Sequence, residues 1–92
     1  MIKKKQMREF LKRLNSPEAC NFRKIEGKPK GEDITWTCNA HTSRPLSHVI
    51  LHSMNISESD IKEIMRVAEK YGGYCDCEII FNAQDGLMKS AK

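Results

Sequence analysis

Two short runs hold the residues best suited to chemistry: Cys38-Asn-Ala-His41 and Cys75-Asp-Cys77. Three thiols and one imidazole form the ligand set of a structural zinc site. Thiolates select zinc, copper(I) or iron–sulfur centres, and an imidazole beside three of them favours zinc. Four protein ligands leave no open coordination position, so such a site is structural rather than catalytic. Three thiolates around a 2+ ion leave one negative charge, and Arg44, close after His41, is placed to offset it.

Other ligand-type residues compete. His48 and His52 stand at i and i+4, a spacing that can bind metal from one helix face. Both fall opposite the apolar stripe of their helix, so they are expected to face solvent. Cys20 is a fifth candidate and reads better as a core or spare thiol. Without a visible secretion signal, metal binding or free thiols are expected ahead of disulfides. A Cys75–Cys77 disulfide would also close a tight, strained ring.

The chain has 92 residues, 39% hydrophobic and 30% charged, the composition of one globular domain. A domain of this size buries only about 60–65% of its unfolded surface, so a metal cross-link would matter to folding. No apolar run approaches the roughly 20 residues that span a bilayer, and a cytoplasmic location is the default expectation. Charge is uneven. Residues 1–30 carry ten Lys/Arg against three Glu, whereas residues 31–92 carry six against nine Asp/Glu. Lys3, Lys4, Lys5, Arg8, Lys12 and Arg13 are the candidate nucleic-acid contacts, with Arg23, Lys24, Lys28 and Lys30 extending the patch. A solvated helix face is the plainer reading.

The elements that must position the cysteines follow from periodicity. Met7, Phe10, Leu11 and Leu14 predict a helix over 3–15, ended by Asn15-Ser16-Pro17. Alternation over 20–25 and 34–38, around Gly27-Lys-Pro-Lys-Gly31, predicts a hairpin. A second helix is expected from about Arg44, with Pro45 in its first turn and Thr42 or Ser43 as cap. Its expected inner stripe is Leu46, Val49, Ile50 and Met54. A third helix, from about Ser59 to Tyr71, carries Ile61, Ile64, Met65 and Ala68, widened by Val67. Ser57 and Asp60 are its capping pair, and Gly72-Gly73 its stop. Alternation over 74–83 predicts a final strand with Cys75 and Cys77 on one side and Asp76 and Glu78 turned outward. Residues 84–92 carry no pattern and are expected to be a disordered tail.

The expected fold is therefore α+β, a single domain over 1–83. It comprises an N-terminal helix, a small antiparallel sheet of about three strands, and a two-helix insertion before the last strand. The metal clasps the front and back of that insertion.

Gly72-Gly-Tyr-Cys-Asp-Cys-Glu78, followed by Ile79-Ile-Phe-Asn82, resembles a microbial family called domain of unknown function 2695. The family pattern sets a Cys-x-x-His-Thr element before two helices and a final strand, and Cys38-Asn-Ala-His41-Thr42 stands in the matching place. The resemblance covers roughly residues 33–83. It implies that Cys38, His41, Cys75 and Cys77 act as a set, and it implies no activity.

An enzyme is the least supported class. The chain has no phosphate-cradling glycine loop, no HExxH helix and no zinc-deaminase signature. The expectation is a non-catalytic binding or interaction module carrying one zinc ion, its partner an unidentified protein or nucleic acid. The alternatives are a non-specific nucleic-acid binder using the basic N-terminal third, and a thiol- or metal-dependent enzyme.

Overall fold

The computed structural model describes residues 1–20, 26–29 and 43–92 in full, and the backbone of residues 23–24 and 34–35. Helix α1 runs Lys4–Asn15, α2 Pro45–Ser53 and α3 Glu58–Lys70. Three segments then run end to end: α4 Asp76–Glu78, a π-helical segment Ile79–Ala83, and α5 Gln84–Ser90. The extended backbone among the described residues is a two-residue ladder of β1 (Arg23–Lys24) with β2 (Ile34–Thr35). It is antiparallel and pairs Arg23 with Thr35 and Lys24 with Ile34.

This is a helical fold, and the α+β expectation is overturned: 66% of the described part is helix. The decisive segment is 74–83, expected as the last strand. Its buried residues are Cys75, Asp76, Cys77, Ile79, Ile80 and Ala83, followed by Leu87, so that beyond the cysteine pair the inward positions fall at 76, 79, 80, 83 and 87. That spacing of three and four is helical, and it continues past residue 83 into the supposed tail. Asp76 and Glu78 sit in the first turn, where the helix dipole favours acids. Residues 84–90 thus form α5, with Leu87 wholly buried, and the backbone of Lys92 bonds to Ile2 and Lys4.

The other helices follow their stripes. Met7, Phe10, Leu11 and Leu14 of α1, and Ile61, Ile64, Met65 and Ala68 of α3, are all buried, as the periodicity predicts. The Ser57 hydroxyl accepts from the Asp60 amide and caps α3. Its far end closes as foreseen at Gly72-Gly73. Gly72 takes φ +90°, its amide reaches the Glu69 carbonyl, and the Gly73 amide reaches Ala68. This is the paired-bond stop that glycine makes possible. A β-carbon on Gly73 would lie 2.9 Å from Ile79 Cγ1 and 3.1 Å from the Ala68 carbonyl oxygen.

Helix α2 departs from its expected register. Ser47, Ile50 and Leu51 are its buried residues, while Val49 is 65% exposed. Leu46 and Met54 pack at the margin of the core. The reason lies at its first turn, where a partner described below holds Ser47 inward.

Tyr71 and Gly86 join the end of α3 to α5. A β-carbon on Gly86 would meet the Tyr71 ring at 2.3–2.5 Å. Alanine in a helix is ordinarily better than glycine by about 0.5–1 kcal/mol. Here Gly86→Ala should instead destabilise by about 1–2 kcal/mol, because the half-exposed ring must swing off the helix. In a Tyr71→Ala background the same change should become neutral or stabilising. Urea denaturation of the four proteins in that cycle checks the reversal.

Candidate metal centre

Cys75 and Cys77 are both buried, and their Sγ atoms lie 3.2 Å apart. Their convergence has a different origin from the strand geometry expected. Cys75 is the extended residue before α4 (φ −135°, ψ 171°), and Cys77 lies in its first turn. The chain bends sharply at Cys75, and this brings the two side chains together. Two sulfurs each about 2.3 Å from a tetrahedral zinc would lie about 3.8 Å apart. The observed pair lies about half an ångström inside that separation, and Cys77 is engaged in a disulfide, against the expectation of free thiols, so the pair suits zinc only with that sulfur reduced to a thiolate.

Cys38 and His41 lie outside the described residues. Among the described residues, no three His, Cys, Asp or Glu side chains are grouped as metal ligands. His48 and His52 share one side of α2, with ring centroids 6.4 Å apart. His52 Nε2 lies 3.1 Å from Glu58 Oε1.

Asp76, between the two cysteines, is not the outward, solvated carboxylate expected of a strand. It is 1% exposed. Its Oδ2 accepts the Leu46 amide at 3.1 Å, and its Oδ1 accepts the Ser47 amide at 3.0 Å and the Ser47 hydroxyl at 2.6 Å. These amides open α2, whose own preceding residue, Arg44, supplies no side-chain cap. Asp76 therefore caps a helix from thirty residues away. The carboxylate also faces the positive end of that helix. This bond explains why Ser47 points inward.

Arg44 makes the return connection. It is buried and left-handed, at φ 53° and ψ 57°. Its Nη1 donates to the Gly73 carbonyl at 3.1 Å and, at 3.4 Å, to that of Met65, while Nη2 donates to Glu69 Oε1 at 2.8 Å. The guanidinium thus pairs with Glu69 and with carbonyls near the α3 C-terminus. Residues 44–47, which follow His41, and residues 73–76, which enter the cysteine pair, are bolted together twice. Sequence reasoning missed Asp76 as a structural residue. The clue was its place before a helical stripe at 79, 80, 83 and 87.

Cys20 is fully buried, and burial, aided by Asp76 and Cys75, pushes its thiol up to about 11. It stays protonated and inert at neutral pH. Iodoacetamide should leave Cys20 unmodified in the native protein and alkylate it in urea, a difference that peptide mass spectrometry reads directly.

Of the basic candidates, Arg13 is already committed. It pairs with Glu18 and donates from Nη1 to Ser53 Oγ at 2.7 Å. Lys4 Nζ donates to the Met88 carbonyl at 2.7 Å. Lys3, Lys5, Arg8 and Lys12 are exposed.

A family model described as "Protein of unknown function (DUF2695)" matches residues 34–82, more than half of the chain. The chain belongs to that family. The matched region contains Cys38, His41, Cys75 and Cys77, together with Arg44 and Asp76. No curated protein and no solved structure matches it. Among the described residues, no helix is long and apolar enough to cross a membrane.

Proposed function

We propose that the chain is a zinc-stapled, non-catalytic interaction domain in which Cys38, His41, Cys75 and Cys77 hold one structural zinc ion. One observation carries the reading. The buried sulfur pair of Cys75 and Cys77 sits beside a double latch joining residues 44–47 to residues 73–76. His41 precedes Arg44 by three residues, and three residues of extended chain reach at most about 11 Å, so the sequence separation allows His41 to reach the latch. The latch positions the second half-site, and the metal would lock the first half-site onto it. A set of four protein ligands favours a staple over a reaction centre. The one acid between the thiols already accepts three hydrogen bonds, which leaves it poorly placed for proton transfer.

Cobalt(II) tests the ligand set, because it reports thiolate coordination by its absorption. A tetrahedral site of three sulfurs and one nitrogen gives intense visible bands and a sulfur-to-metal charge-transfer band in the near ultraviolet. Cys38→Ser, Cys75→Ser and Cys77→Ser should each weaken the charge-transfer band, and His41→Ala should shift the visible bands. A pale, six-coordinate cobalt spectrum that these variants leave unchanged would refute the assignment.

A further inference from the structure

Helices α1 and α3 are both amphipathic and both bury a full stripe, yet their outer faces differ in charge. Helix α3 mixes Lys62, Arg66 and Lys70 with Glu58, Asp60, Glu63 and Glu69. Helix α1 carries Lys4, Lys5, Arg8, Lys12 and Arg13 against Glu9 alone. Its first turn holds no acid and begins with two lysines, at the end where the helix dipole repels cations. Lys4–Arg8 and Arg8–Lys12 are like-charged i,i+4 pairs and Lys5–Arg8 an i,i+3 pair. Such like-charged pairs destabilise a helix. Glu9, at i+4 from Lys5 and three residues before Lys12, offsets part of this repulsion but also acts on Arg13, so one acid is set against five bases on the helix. Arg13, Arg44 and Arg66 each have a carboxylate within 4.0 Å; among the described residues Arg8 has none, and neither do Lys5 and Lys12, nor Lys62 and Lys70 of α3. Local rules broken at one face, in a helix otherwise well designed, mark a functional surface.

We propose that this face binds the phosphate backbone of a nucleic-acid duplex through Lys5, Arg8 and Lys12. From Lys5 to Lys12 the row is about 10 Å long at 1.5 Å per residue. A duplex presents about one negative charge per 1.7 Å over that length. The exposed residues of this face include no aromatic side chain, so the contact is to phosphate and carries no base readout. The apolar face of α1 is spent on the core, so the helix has none left to insert into a bilayer. This inference is independent of the metal.

The test is fluorescence anisotropy with a labelled random-sequence DNA duplex, titrated between about 50 and 200 mM salt. Wild type should bind at low salt, and its affinity should fall steeply as salt rises. The variant Lys5→Gln/Arg8→Gln/Lys12→Gln should keep its circular dichroism and lose at least tenfold in affinity at low salt. Its log–log salt slope should shrink by about 2.7, at 0.9 per lost phosphate contact. The matched variant Lys62→Gln/Arg66→Gln/Lys70→Gln on α3 should bind like wild type, and polyglutamate should fail to displace the DNA. No binding at low salt would overturn the proposal. So would equal losses in the two triple variants, or displacement by polyglutamate, which would point to an acidic protein partner.

Discussion

Removing metal with a chelator at neutral pH should lower the melting temperature by about 15–30 °C. The size follows from chain entropy. A cross-link closing a loop of roughly 40 residues, as between Cys38 and Cys75, contributes about 4 kcal/mol. For a domain of this length each kcal/mol moves the melting temperature by about 4–8 °C. The effect should stop short of the complete unfolding seen in zinc-finger peptides, whose metal supplies about 10–16 kcal/mol. The reason is the helical core of Met7, Phe10, Leu14, Ile50, Ile61, Ile64 and Leu87, which is wholly or almost wholly buried without reference to any ligand. Circular dichroism melts with and without chelator measure the shift, and added zinc should restore it. Coincident melts would contradict the staple.

Asp76→Ala should cost about 3–4 kcal/mol, the largest loss expected of any side chain in this region that is not itself a proposed ligand. It would strand two amides and a hydroxyl at the start of α2. An unsatisfied buried polar group costs about 1–3 kcal/mol, and an ordinary N-cap contributes about 1 kcal/mol. Some relief comes from water entering the vacated space, so the three penalties do not add in full. Asp76→Asn keeps one acceptor oxygen and should cost about 1–2 kcal/mol, and Ser47→Ala about 1 kcal/mol. The order Asp76→Ala, Asp76→Asn, Ser47→Ala in urea midpoints checks the cap. A solvated carboxylate would instead give changes within about 0.5 kcal/mol for all three.

The helices of this chain were legible where one apolar face repeats over three turns. Helices α1 and α3 have that, with a glycine pair to stop the latter, and both lie where periodicity puts them. The segment 74–83 was misread because Cys75, Cys77, Ile79 and Phe81 also satisfy a period of two. Over a stretch of ten residues that includes Tyr74, Ile79, Ile80 and Phe81, types favoured in strands, the two periods cannot be told apart. Leu87 and Ala91 break the tie, and they lay in the part discounted as a tail. The register of α2 was illegible for a different reason. It depends on Asp76, a non-local cap that no local pattern announces, and this contact turns Ser47 and Leu51 inward and Val49 out. The convergence of Cys75 and Cys77 was foreseen correctly in outcome, yet its cause is the bend into α4 rather than strand pleating.

The pairing of the two half-sites is the claim on which the rest turns. Native mass spectrometry of protein purified without added metal or chelator reads it most directly. The expected result is one zinc ion per folded chain in the wild type and none in Cys77→Ser. A folded, metal-free wild-type chain that also fails to take up added zinc would contradict it.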